Sequence, residues 1–156
     1  MSAVEQGRPT AAPLVGAEIA VRPVLLLTFD VIYADAAVQF AFETAAETHS
    51  ELFVADIVPA MRVPAVGNIR SFGDPYVVET QAEIVRRAVE QGLHVKRIVF
   101  SHPRPFAATF SLLRDQKIGL LVFGPDRKRY GRFRFRRHAA KFRRDAPCLV
   151  WVAPDG

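Results

Sequence analysis

Residues 120–152 read LLVFGPDRKRYGRFRFRRHAAKFRRDAPCLVWV. A short apolar run, Leu120–Phe123, ends on Gly124. A segment crowded with arginine follows, and then a second apolar run, Cys148–Val152. A glycine at the end of a strand, beside a dense cluster of positive charge, is a place where an anion can approach the backbone. This stretch also fixes the periodicity of the chain: strand, helix-length segment, strand.

Four such units come before or overlap it. Short runs that are almost continuously apolar lie at Val24–Phe29, Leu52–Val58, Val95–Phe100 and Ile118–Phe123, with Cys148–Val152 as the fifth. Strands that are apolar on both faces are those of a parallel sheet covered on both sides. Between them apolar residues recur at helical spacing: Val38, Phe42 and Ala45; Val77, Gln81, Ile84 and Ala88; Phe106, Phe110 and Leu113; Phe135, Ala139 and Phe142. Each is a one-sided stripe for packing on a sheet. Gly92 sits where a left-handed cap would close the second helix, and Pro105 where a first-turn proline is tolerated. The alternation predicts an α/β fold: a doubly wound, five-stranded parallel sheet with helices on both faces and right-handed crossovers. One connection is longer. Pro59 to Pro75 is rich in Pro and Gly and reads as a surface loop, either a lid or a tolerated excursion.

The chain has 156 residues, half of them apolar, which suits one domain able to bury its own core. Residues 1–20, rich in Ala, Pro and Gly, are expected to form a flexible arm, leaving 21–154 as the domain. Nothing in the opening stretch resembles a secretory leader, and the run around Val24 is far too short for a bilayer. The single cysteine, Cys148, forms no internal disulfide and reads as a buried strand thiol. A soluble, cytoplasmic protein is expected, with no membrane association. The net charge of +5 is uneven: residues 126–145 hold ten Lys and Arg against two Asp, and the rest holds eleven basic against fourteen acidic residues. The positive charge is one patch, of the kind that attracts an anionic partner.

In open parallel sheets, ligands bind beyond the carboxyl ends of the strands, where the strand order reverses. Asp30 directly follows the first strand and Gly124 the fourth. If those strands are neighbours, both residues border one crevice, with the aspartate accepting hydrogen bonds from a sugar or base.

At these residues the chain resembles the universal stress protein family. The resemblance runs from about Arg22 to Val152 and is carried by VLLLTFD, by GPDRKRYGR after the fourth strand and by the closing DAPCLVWV. It implies strand order 3-2-1-4-5, and a homodimer paired through the last strand, whose unpaired edge carries Val150 and Val152. It also implies an adenine nucleotide as ligand, with Asp30 contacting adenosine and a motif G-x2-G-x9-G-[ST] cradling phosphate. Gly124 matches the first glycine, but Arg127 stands at the second. Arg136 and Arg137, or Arg137 and His138, stand where the Gly-Ser pair belongs. Gly131 is out of register and reads as a turn residue. The second and third glycines of an ordinary ATP cradle are therefore missing. Two outcomes follow: a side-chain clamp of guanidinium groups, or loss of nucleotide binding. The residues assigned to the clamp are Arg127, Lys128, Arg129, Arg136 and Arg137.

Chemistry is otherwise sparse. There is no phosphate-loop Lys-Ser/Thr, no Cys-x-x-Cys and no zinc-protease motif. His49, His94, His102 and His138 read as surface or structural residues, with His102, at the ligand end of the third strand, kept as a minor candidate. Ser101 and His102 point to opposite faces and make a poor nucleophile–base pair. The expectation is a non-enzymatic regulatory domain that requires no cofactor. The alternatives are an interaction module docking a basic face on nucleic acid or an acidic protein, and a slow nucleotide hydrolase. The middle of the basic segment, RFRFR, alternates at period two, which would place Phe133 and Phe135 on one face.

Overall fold

The computed structural model describes residues 21–63, 67–69 and 73–154. The expected arm at 1–20 lies outside them. The elements are β1 (Val24–Thr28), α1 (Asp35–Thr48), β2 (Leu52–Pro59), β3 (Met61–Val63), β4 (Gly67–Ile69), α2 (Pro75–Glu90), β5 (Val95–His102), α3 (Pro105–Asp115), β6 (Leu120–Phe123), α4 (Arg127–Tyr130), α5 (Arg132–Asp145) and β7 (Leu149–Val152).

Five strands form one parallel sheet in the order β5-β2-β1-β6-β7, which is the expected 3-2-1-4-5 arrangement. All five residues of β1 are buried, as a central strand covered on both faces requires. On one face Leu26, Val54 and Val122 pack against Val38, Phe42 and Ala45 of α1 and Ile84 and Ala88 of α2. On the other, Leu27, Phe53 and Phe123 pack against Leu113 of α3 and Phe135, Ala139 and Phe142 of α5. Gln81, the polar member of the α2 stripe, is fully buried and satisfied. Its amide donates to the carbonyls of Val54 and Ile98 at 3.1 and 3.2 Å, and its oxygen accepts from Arg97 Nε at 2.7 Å.

Three local readings change. The Pro59–Pro75 segment is not a plain loop: Met61–Val63 and Gly67–Ile69 pair as an antiparallel ribbon. The rest of the expected lid, residues 64–66 and 70–72, lies outside the described residues. A short helix, α4, precedes α5 because Asp126 caps it, accepting from the N–H groups of Lys128 and Arg129. The RFRFR stretch is helical. Gly131 takes a positive φ of 96° between the two helices and so resets the chain direction. From there the period of Phe135, Ala139 and Phe142 outweighs a five-residue alternation. Phe133 and Phe135 consequently part company: Phe135 is fully buried and Phe133 is 72% exposed.

Aromatic packing anchors α5. Phe142 lies 5.0 Å from Phe123 and 4.9 Å from Phe106, centroid to centroid, and Phe135 lies 5.1 Å from Phe123. Burying each such ring stabilises the fold by roughly 1.5–3 kcal/mol. It also fixes where the arginines at the start of α5 stand.

Candidate functional site

β1 and β6 are hydrogen-bonded neighbours, with Leu27 opposite Phe123. Asp30 and Gly124 therefore follow the tips of adjacent strands. The two connections beyond those tips are joined: Ala34 N–H donates to the Gly124 carbonyl at 2.8 Å, and Asp126 N–H to the Ile32 carbonyl at 2.9 Å. Gly124 N–H is spent on the Leu27 carbonyl at 2.8 Å. A Cβ at Gly124 would stand 2.7 Å from Leu26 Cδ1 and 3.3 Å from Ala37 Cβ. Close packing of Leu26 on β1, with Ala37 on α1 behind it, thus accounts for this glycine.

Asp30 has a left-handed backbone, φ 57°, an uncommon conformation that aspartate tolerates better than most residues. Its own N–H donates to Asp56 Oδ1 at 2.8 Å, while its Oδ1 accepts from Asp74 N–H at 2.8 Å. Asp74 in turn caps α2, accepting from Tyr76 N–H at 2.9 Å. Three aspartates thus tie the body of β2, the tip of β1 and the start of α2 together. Gly73 permits this approach: its φ is 81°, and a Cβ there would stand 3.2 Å from Asp30 Oδ1. Asp56 is fully buried and its Oδ2 has no hydrogen-bond partner among the described residues. Burial, with the nearby Asp30 charge as a lesser contribution, raises its carboxyl to about 6. Tyr33, whose hydroxyl donates to the Ala55 carbonyl at 2.7 Å, is held protonated by burial and by Asp56.

On the other side of the joined loops lies a cavity of about 660 Å³. Its wall is made by Ala34 and Ala36 at the start of α1, Asp126, Arg127 and Lys128 at the start of α4, Arg132 and Arg136 on the first turns of α5, and Ala153–Pro154 after β7. α5 has no side-chain cap and no acidic residue in its first turn, so the positive end of its dipole adds to the charge there. Four cations line the cavity against one carboxylate, and that carboxylate already caps α4. Among the described residues Lys128, Arg132 and Arg136 enter no ion pair. Arg127 is different. Its guanidinium lies 4.1 Å over the Phe135 ring and donates to the Ala153 carbonyl at 2.5 Å, so it ties α4 to the segment that follows β7.

Of the residues singled out from the sequence, Arg127, Lys128 and Arg136 meet at this cavity. Asp30 and Gly124 border the same strand tips without lining it, and Arg129 and Arg137 lie outside it. Arg137 instead stacks 5.6 Å over the exposed Phe133 ring. Arg132, Asp56 and Ala36 went unrecognised. Asp56 carried a signal, a lone charge inside the apolar strand LFVADIV; Arg132 carried none that set it apart from its neighbours. His102 accepts from Arg104 N–H at 2.9 Å through Nδ1 and shapes the turn into α3. His138 shares a 2.6 Å hydrogen bond with Tyr130, and burial, assisted by Arg134, Arg137 and Lys141, lowers it to about 4. Burial raises the Cys148 thiol, which lowers its reactivity. Among the described residues no cluster of His, Cys, Asp and Glu could hold a metal, and no helix is long and apolar enough to cross a membrane.

Residues 21–154 match the model of the universal stress protein family. No curated protein matches the chain in sequence. Solved structures do resemble it in fold. A universal stress protein in complex with cAMP is 18% identical, covers 88% of this chain and 99% of its own, and superposes with a TM-score of 0.58. A universal stress protein from Archaeoglobus fulgidus in complex with dAMP is 15% identical, with 84% and 96% covered and a TM-score of 0.59. A protein of the family from Burkholderia pseudomallei is 20% identical, with 86% and 97% covered and a TM-score of 0.53.

Proposed function

The chain belongs to the universal stress protein family, and from that premise we propose that it is a non-enzymatic regulatory domain that holds a phosphate-bearing small molecule, of the nucleotide class, in the arginine-lined cavity. The observation that carries this reading is the wall itself: Lys128, Arg132 and Arg136, without ion-pair partners among the described residues, face a space of about 660 Å³. That volume lies in the range of small-molecule sites. Solved structures of the same fold are complexes with cAMP and dAMP, which makes a nucleotide the first ligand to test.

Phosphate recognition would differ in kind from a glycine cradle. Glycines let backbone N–H groups curl around phosphate oxygens. Here Arg136, one of the two residues that stand at the Gly-Ser pair when the motif is counted back from Ala-Pro-Cys, lines the cavity, and guanidinium groups offer paired N–H donors to the same oxygens. On this reading Asp30, which does not line the cavity, takes part only where the ligand's sugar or base extends beyond it to Oδ2, its Oδ1 being held by Asp74. Lys128, Arg132 and Arg136 supply charge, and Arg127 keeps the wall in place. On this reading the ligand is held and reported and is not transformed. A ligand that draws the start of α5 toward the end of β7 would act on that edge strand, where Leu149 is 76% exposed. We assign homodimer pairing to this edge.

The test is calorimetric titration with ATP, AMP and pyrophosphate, run beside a phosphate-release assay. Saturable binding without release supports the reading. Release at a steady rate would make the domain a hydrolase, and silence from every ligand would leave the cavity without a role.

A further inference from the structure

We infer that the outward face of α5 is a docking surface for single-stranded nucleic acid. The inward stripe of this helix, Phe135, Ala139 and Phe142, is buried. At 100° per residue the remaining side chains fall into adjoining rows. Arg132, Arg136 and Arg143 form one row, Phe133, Arg137, Ala140 and Arg144 the next, and Arg134 with Lys141 the last. An exposed aromatic ring therefore stands in the middle of a field of cations. Phe133 is 72% exposed, and Arg137 stacks over one side of its ring at 5.6 Å. The helix contains one acidic residue, Asp145, which pairs with Arg144. Among the described residues the other cations of the helix enter no ion pair.

Charge complementarity calls for a polyanion, and the details select among polyanions. Six of the seven cations on α5 are arginines, whose flat guanidinium groups stack on bases as well as pairing with phosphates. Arg134 and Arg137 are already held against Tyr130 and Phe133, at 3.9 and 5.6 Å. A bilayer would gain little, since Phe133 is the one large apolar side chain on these outward rows. An acidic peptide would satisfy the charge but has no use for the ring. An unpaired base has, because sequence-tolerant stacking on an exposed ring beside a basic track is how single strands are held.

The surface overlaps the anion cavity at Arg132 and Arg136, so the diagnostic variants lie off it: Phe133→Ala, Arg137→Gln and Arg143→Gln. Fluorescence anisotropy of labelled single-stranded RNA and DNA is compared with a duplex of the same sequence, a polyglutamate peptide and phosphatidylserine vesicles over a range of salt. The expected result is preference for the single strand and affinity that falls steeply with salt. Phe133→Ala should weaken binding roughly tenfold with the salt slope unchanged. Arg137→Gln with Arg143→Gln should flatten the slope. Equal or tighter binding of the duplex, peptide or vesicle, an unaltered affinity in Phe133→Ala, or no binding at low salt would overturn the inference. None of these results depends on nucleotide occupying the cavity.

Discussion

The backbone N–H of Asp30 donates to the buried carboxylate of Asp56 at 2.8 Å. The tip of β1 is thereby held to the body of β2 by a charge that water cannot reach, and its second oxygen has no partner among the described residues. Such a group stores unfavourable energy at neutral pH.

The sign of the pH dependence follows. The carboxyl of Asp56 is raised from 3.8 to about 6 in the folded protein. Its protonated form is favoured by folding, so its contribution to stability is complete below 3.8 and is lost as pH rises through about 6. The loss amounts to at most about 3 kcal/mol. Asp56→Asn keeps an acceptor for Asp30 and removes the charge. Urea unfolding should show the variant more stable than the natural protein at pH 7.5, with the difference shrinking at pH 5. A variant that is less stable at pH 7.5 would contradict this account.

Gly124→Ala should destabilise the fold by about 1–3 kcal/mol, because the new Cβ meets Leu26 Cδ1 at 2.7 Å in a close-packed layer. Gly92→Ala, at φ 82° with nothing within 4 Å, should cost about 1 kcal/mol from backbone strain alone. Denaturant midpoints separate the two. Equal costs would mean that packing against Leu26 and Ala37 is not what keeps Gly124 a glycine.

Arg127 and Arg136 both line the cavity but should fail differently. Arg127→Met removes the hydrogen bond to the Ala153 carbonyl and should lower stability by about 1.5–3 kcal/mol. Arg136→Met, on an exposed turn of α5, should leave the melting temperature within a degree or two and act on ligand affinity. Thermal unfolding of the pair in the absence of ligand checks this, and the reverse ranking would refute the division of roles.

Leu149→Lys should convert the dimer assigned to the β7 edge into a monomer, since a charge on a 76% exposed strand position opposes edge pairing. Sedimentation velocity is the measurement. A natural protein that sediments as a monomer would remove the edge-pairing proposal.

The fold was legible because each main strand announces itself by a largely apolar run and each long helix by an apolar stripe. Val77, Gln81, Ile84 and Ala88 were all read from spacing and are all buried. The ribbon at Met61–Val63 and Gly67–Ile69 was not, because three-residue strands leave no period to detect. The site was half legible. Strand order placed Asp30 and Gly124 beside each other, but α5 presents cations all around its outer surface. Sequence alone does not separate Arg132 and Arg136, on the cavity, from Arg129 and Arg137, off it. That choice is made by the angle at Gly131 and by the depth at which Phe135 and Phe142 seat the helix.

The central claim is that guanidinium groups at the start of α5 hold a phosphate-bearing ligand. Isothermal titration of ATP, AMP and pyrophosphate into the natural protein and into the double variant Arg132→Gln, Arg136→Gln tests it most directly. The account predicts saturable binding to the natural protein, weakened roughly 10- to 100-fold or more in a double variant that still folds. Equal affinity for the two proteins, or no heat from any of the three ligands with the natural protein folded, would contradict it.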